Sequence, residues 1–301
     1  MKTVWIVGTR GSKLALKQTE IVIAHLREAH PGHQFVQKII RTTGDTIWDK
    51  PLHLIGGKGL FVKEIEDELI TGTIDLAVHS MKDVPTDLGK ELAIGAVLKR
   101  EDPRDVFISL RHKEFADMKN GGKIGTNSLR RKSQILSFSR DIEVVPLRGN
   151  VDTRIRKMES ESLDGIILAY AGVARMGYEG HIREILPISM MVPPSGQGAI
   201  GVETRAEPEL LAMIREINHE HSLQEVSIER RLQVEIGGGC NVPLGINASI
   251  AGGKLTLSVS YGTEEGDLLI RDTQTDDVDK AGQMITKAFD KVLHAKGELP
   301  A

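Results

Sequence analysis

The sequence predicts an α/β fold of two similar lobes flanking a cleft, followed by a small α+β domain. Three observations carry the prediction. Short apolar runs alternate with amphipathic helical patterns, the opening of the chain is echoed near Lys123, and beyond Ser222 the alternation gives way to polar-apolar strands and one closing helix.

The first strand is Val4-Trp5-Ile6-Val7, which runs into Gly8-Thr9-Arg10-Gly11-Ser12. Leu14, Leu16, Ile21, Val22, Ile23 and Leu26 then space a helix with Ser12 as its N-cap. A helix start offers unpaired N–H groups and the positive end of the dipole. An anion could therefore sit beside Arg10, and an ordinary strand-to-helix turn is the equal alternative. Lys123-Ile124-Gly125-Thr126-Asn127-Ser128-Leu129-Arg130-Arg131 repeats the arrangement. A second echo pairs Ile74-Asp75-Leu76-Ala77-Val78-His79-Ser80 with Leu163-Asp164-Gly165-Ile166-Ile167-Leu168-Ala169, each a buried strand entered through an acidic residue. Strands alternating with helices imply a parallel sheet in each lobe.

Lys99 to Arg104 is a charged segment containing Pro103, which marks the crossing between lobes, and Met191 to Gly196 is the return. Gly198 to Val202 then adds a strand to the first lobe, so two connections flank the cleft. The expected boundaries are 1–98 with 197–217 for the first lobe, 99–196 for the second and 218–301 for the third domain. In that domain Ser222-Leu223-Gln224-Glu225 reads as a capping box for a helix stopping near Gly237. Leu244–Ile250, Lys254–Tyr261 and Leu268–Thr273 form an antiparallel meander, and a helix over Val278–Leu293 covers it.

Composition narrows the function. The chain has 301 residues, 40% hydrophobic and 27% charged, with 31 glycines, which fits a loop-rich enzyme or binding protein. A formal charge of -3 and 4% aromatic content supply neither a basic field nor stacking platforms for nucleic acid. No apolar run reaches membrane-spanning length, and no export signal precedes Gly8. The single cysteine, Cys240, excludes an intrachain disulfide and fits a reducing cytoplasm. It sits in Gly237-Gly238-Gly239-Cys240-Asn241-Val242-Pro243, a turning loop with little mass to bury a thiol, so the sharper reading is a thiol presented for covalent chemistry.

Other candidate residues cluster at turns. Asp83, in His79-Ser80-Met81-Lys82-Asp83-Val84-Pro85, follows a strand where catalytic groups of open α/β sheets emerge, although a turn carboxylate before Pro85 is the plain alternative. Arg10, Arg130, Arg131, Arg148, Arg154 and Arg175 lie by glycine turns or helix starts suited to gripping carboxylates, against the plain reading of solvated arginines. Lys58, in Ile55-Gly56-Gly57-Lys58-Gly59-Leu60-Phe61, is a lid or anion contact, and this loop lacks the Walker spacing. His30/His33 and His219/His221 carry no metal-binding pattern and read as surface histidines, so no metal site is expected.

The five motifs around Arg10, Asp83, Arg130, Arg148 and Cys240 stand in order along the whole chain, with Gly196-Gln197-Gly198-Ala199 between the last two. Together they closely resemble the porphobilinogen deaminase (hydroxymethylbilane synthase) family. Asn127 replaces a serine common there and Thr204 a cysteine found in some relatives. The resemblance implies two lobes like those of periplasmic binding proteins plus a third, cofactor-bearing domain. It implies a transferase of tetrapyrrole biosynthesis that joins four porphobilinogen molecules into 1-hydroxymethylbilane on a dipyrromethane cofactor held as a thioether. By motif match Cys240 is the attachment point and Asp83 the catalytic carboxylate. Lys82, Thr126, Ser128, Arg130 and Arg131 bind the cofactor, and Arg10, Ser12, Arg148, Arg154, Arg175 and Lys58 bind the substrate. A cytoplasmic monomer, passing its product to uroporphyrinogen-III synthase, is expected. A non-catalytic anion-binding protein would use the same arginines without needing Cys240 or Asp83. A cysteine hydrolase would need a His/Asn partner that the sequence does not place.

Overall fold

The computed structural model describes residues 2–43, 62–237 and 242–297. The chain packs as two compact units. One runs up to Glu101 and includes Ala199–Gln224; the other comprises Asp102–Gly198 and the residues from Glu225 onward.

The first unit is one mixed sheet covered on both faces. Strands β1 (Val4–Arg10), β2 (Gln34–Ile40), β3 (Leu76–Ser80), β4 (Leu92–Val97) and β10 (Ile200–Arg205) lie in the order β2-β1-β3-β10-β4. Helix α1 (Lys13–Ala29) buries Val22, Ile23 and Leu26 against one face, joined by Met213 and Ile214 of α6 (Pro208–Arg215). On the other face α2 (Lys63–Ile70) buries Ile65 and Leu69 against Ile40, Ile74 and Leu92. Each such fully buried aliphatic side chain contributes about 1.5–3 kcal/mol.

The second unit begins with a sheet of the same plan. Strands β5 (Asp105–Ile108), β6 (Gly122–Gly125), β7 (Ile142–Val145), β8 (Gly165–Ala169) and β9 (Ile182–Ile185) take the order β7-β6-β8-β5-β9. Helices α3 (Leu129–Phe138), α4 (Val151–Ser160) and α5 (Tyr170–Arg175) supply Ile135, Met158 and Val173 to its two cores. The repeat extends to single hydrogen bonds. Ile6 N–H donates to Asp75 Oδ2 at 2.8 Å and Asp75 N–H to the Ile6 carbonyl at 2.9 Å. Lys123 and Asp164 reproduce both bonds at the same two distances.

The sheets are not wholly parallel. β1, β2 and β3 run together, as do β6, β7 and β8, but β10 is antiparallel to both its neighbours and β5 to both of its own. The reason is where each odd strand starts. Asp105 opens β5 opposite Ala169, the last residue of β8, and Ile200 opens β10 opposite Ser80, the last residue of β3. A strand beginning where its neighbour ends must run the other way.

The rest of the second unit is the α+β part. Strands β11 (Leu244–Ala251), β12 (Lys254–Gly262) and β13 (Leu268–Asp277) form the antiparallel meander, and Gly252 and Gly253, at φ 56° and 76°, make its tight first turn. Helices α7 (Glu220–Ile236) and α8 (Ala281–Lys296) pack Leu232, Ile236, Met284 and Val292 on this sheet. A methyl group at Gly262 would lie 2.7 Å from Ser133 Cβ, so β12 presses directly on α3.

Two further expectations differ from the structure. Helix α7 starts two residues before Ser222, because His219 caps it: Ser222 N–H donates to His219 Nδ1 at 3.3 Å and Leu223 N–H to the His219 carbonyl. The Ser222 hydroxyl instead accepts the Arg100 N–H at 2.8 Å. His30 and His33 are half-buried rather than surface groups. His30 Nε2 meets the Met213 carbonyl at 2.9 Å, and Trp5 Nε1 donates to His33 Nδ1 at 2.7 Å.

Candidate active site

Parallel strands bring their carboxyl ends to one edge of a sheet, which is where open α/β sheets place ligand-binding groups. In the first unit β1 ends at Arg10, and α1 opens at Ser12, whose Oγ accepts the Ala15 N–H at 3.2 Å. Ser12 is thus a working N-cap, worth about 1 kcal/mol. At the end of β3 the chain makes a 3-10 turn, Met81–Asp83, presenting Lys82 and Asp83 half-buried while Met81 and Val84 point into the core. The turn is held from three sides. Met81 N–H donates to the Ala199 carbonyl at 3.0 Å, Ser80 Oγ exchanges hydrogen bonds with the Gln18 amide, and Gly201 leaves room for Met81.

Beneath that turn is a buried acidic cluster that the sequence did not signal. His79 Nε2 and Glu203 Oε2 approach to 2.9 Å with both side chains buried, though not aligned for a hydrogen bond. Burial, then the charge of Glu203, raises the Glu66 carboxyl above its usual value, with His79 pulling the other way. Only residues distant in sequence make this cluster, so no local pattern could have announced it.

In the second unit the ends of β6, β7 and β8 gather the other candidates. Ser128 caps α3, its Oγ accepting the Arg131 N–H at 3.4 Å, and Thr126 Oγ1 accepts the Ser128 N–H at 3.3 Å. After β7, Leu147 is buried, half-buried Arg148 follows, and Gly149 turns with φ 124° into α4. Arg154 folds back from α4 to donate through Nε to the Gly149 carbonyl at 2.7 Å. Arg175, at the end of α5, donates to the Gly198 carbonyl at 2.5 Å.

Arg130 and Arg131 are buried, not solvated. Arg130 donates from Nη2 to Asp105 Oδ2 at 2.7 Å and from Nη1 to the Val192 carbonyl at 2.7 Å. Arg131 donates from Nη2 to Asp105 Oδ1 at 2.7 Å and from Nη1 to the Ile167 carbonyl at 2.9 Å. Burial would raise the Asp105 carboxyl, but the two guanidiniums outweigh it and hold it well below the usual carboxylate range. Burial also pulls Arg130 down from its ordinary value, though arginine keeps its charge. Two cations facing one carboxylate leave the cluster formally one negative charge short. Arg131 Nε is buried there with no hydrogen-bond partner among the described residues. The head of α3 is therefore suited to an organic anion, and the donor set fits a carboxylate-bearing cofactor.

Asp105 escaped the sequence reading because it stood among the charges of the crossing segment. Cys240 and Lys58 lie outside the described residues. Among the described residues no group of three or more His, Cys, Asp or Glu side chains is arranged to hold a metal, and no helix is long and apolar enough to cross a membrane.

Two family models match the chain: "Porphobilinogen deaminase, dipyromethane cofactor binding domain" over residues 5–213, and "Porphobilinogen deaminase, C-terminal domain" over 223–294. Among curated relatives, the porphobilinogen deaminase of Desulforudis audaxviator is 45% identical, covering 91% of this chain and 89% of its own. That of Syntrophomonas wolfei is 49% identical, covering 83% and 82%. That of Syntrophus aciditrophicus is 43% identical, covering 97% and 96%. Among solved structures the chain is similar to substrate binding domain 2 of Lactococcus lactis GlnP in its open conformation. The identity is 13% and the TM-score 0.48, over 71% of this chain and 87% of that one.

Proposed function

Because the chain belongs to the porphobilinogen deaminase family, we propose that it joins four porphobilinogen molecules head to tail, with loss of four ammonia molecules, and releases 1-hydroxymethylbilane. The observation that carries the reading is the buried Asp105–Arg130–Arg131 cluster at the head of α3, one negative charge short and set at the strand-end edge of its own sheet. It suits a cofactor and substrates that carry acetate and propionate groups.

Dipyrromethane, bound as a thioether to Cys240, supplies the pyrrole α-carbon from which the chain grows. Lys82, Thr126, Ser128, Arg130 and Arg131 hold it, while Arg10, Ser12, Arg148, Arg154, Arg175 and Lys58 hold the carboxylates of incoming porphobilinogen. Asp83 accepts the pyrrole N–H hydrogen bond of the incoming porphobilinogen as its protonated amino group leaves as ammonia, and the carboxylate's negative charge offsets the azafulvenium cation left on the methylene carbon of that same ring. Each new carbon–carbon bond would form as the accepting α-carbon loses its proton; at release the bond between product and primer would break, the primer's α-carbon taking a proton and the product's methylene carbon taking hydroxide, both from one water. What supports Asp83 in this role is its place on a half-buried turn held by Met81, Gln18 and Ala199. The division at 1–98 with 197–217, 99–196 and 218–301 is supported by three sheets, each with its own core. We also assign the protein to the cytoplasm as a monomer whose product goes to uroporphyrinogen-III synthase.

Intact-mass measurement tests the reading. The purified protein should exceed its sequence mass by one dipyrromethane unit, and Cys240→Ser should abolish the increment. A fully active protein at its bare sequence mass would overturn it.

A further inference from the structure

We propose that Asp105 is a positioning residue that aims Arg130 and Arg131 at a carboxylate of the cofactor. The inference rests on the cofactor reading given above and concerns a residue that makes no claim on the chemistry itself.

Asp105 is fully buried, and both its oxygens are committed. Oδ2 accepts from Arg130, while Oδ1 accepts from Arg131 and, at 3.1 Å, from Gln197 Nε2. Gln197 is itself fixed through a second bond, from the same nitrogen to the Pro103 carbonyl at 2.7 Å. On the far side Arg130 is tied to the Val192 carbonyl, and the Gln134 amide brackets Val192 by accepting its N–H at 2.8 Å and donating to its carbonyl at 3.1 Å. Two adjacent guanidiniums in one buried site would repel without a carboxylate between them. Asp105 removes that repulsion by taking one Nη from each. It also fixes both planes, because arginine–carboxylate hydrogen bonds are directional.

Topology puts the carboxylate in the right place. As the first residue of an antiparallel strand, Asp105 lies at the edge where β6 and β8 end, behind the N-terminus of α3. What remains unmatched is one positive charge and the buried Arg131 Nε. A carboxylate ligand supplies both needs, and a neutral ligand supplies neither.

The experiment uses the full-length protein in cofactor-free and porphobilinogen-loaded forms. It reads the rate of cofactor incorporation by intact mass and the gain in Tm on loading. For Asp105→Asn the expected result is about tenfold slower incorporation and a Tm gain cut to about half the wild-type gain or less, with Asp105→Glu recovering part of both. A merely structural residue would lower the Tm of the two forms alike and leave the gain unchanged; that result overturns the proposal. If Asp105→Asn does not fold, Asp105→Glu decides. It keeps the charge between the two guanidiniums but shifts the carboxylate by one methylene, and wild-type incorporation with a wild-type gain in that variant would overturn the proposal equally. A wild-type protein that gains no mass on loading would instead refute the cofactor reading itself.

Discussion

Replacing Gly201 by alanine tests whether Met81 props up the turn that carries Asp83. A Cβ at position 201 would lie 2.0 Å from Met81 Sδ and 3.1 Å from its Cγ. Comfortable heavy-atom contact needs about 3.5–4 Å, so the thioether must retreat by roughly 1.5 Å. Gly201 is not among the positive-φ glycines, so the cost is steric rather than conformational. Met81 is 2% exposed, and its backbone is pinned to Ala199, so little space is open to it. Overpacking of this kind costs about 1–3 kcal/mol. Denaturant unfolding should show that loss. Steady-state turnover should fall about tenfold or more, because Asp83 lies two residues beyond Met81 and small misplacements at a reacting centre are expensive. The cofactor mass increment should stay. The double variant Gly201→Ala/Met81→Ala should be no less stable than Met81→Ala alone, since the clashing atom is gone. Strictly additive losses, or a Gly201→Ala protein with wild-type stability and turnover, would refute the reasoning.

Two further outcomes are expected. Asp83→Asn should keep the cofactor mass increment yet lose turnover by about 10²–10⁴-fold, checked by mass spectrometry beside a rate assay; near-normal rates would remove Asp83 from the chemistry. Glu66→Gln should raise Tm at neutral pH. Because burial and Glu203 raise the folded-state value of Glu66, the folded protein holds its proton more tightly than the unfolded chain. The wild type therefore loses stability as pH rises through that folded value, and the glutamine variant does not. The Tm difference should vanish in acid, below both values, and a difference independent of pH would count against this account.

Much of this protein is legible in its sequence, because the informative signals are local. Ser12 and Ser128 announce helix starts, Asp75 and Asp164 announce the paired strand entries, and Gly252-Gly253 fixes a hairpin. Caps, turns and hydrophobic periods depend on a few neighbouring residues, so reading along the chain finds them. The ordered motifs around Arg10, Asp83, Arg130, Arg148 and Cys240 likewise led to the family before any packing was considered.

Contacts between residues far apart in sequence had to come from the tertiary structure. The direction of β5 and β10 follows from where the chain enters each sheet, which no strand pattern encodes. That direction sets Asp105 at the edge where β6 and β8 end, where it pairs with Arg130 and Arg131 in a buried cluster. His79 and Glu203 are similarly joined across two strands, and His219 caps the helix at Ser222 while the Ser222 hydroxyl meets both His219 Nδ1 and the distant Arg100 N–H. Sequence alone determined the elements that caps, turns and hydrophobic periods mark, and the family. Folding decided which charges face each other, because burial and pairing depend on distance in space rather than along the chain.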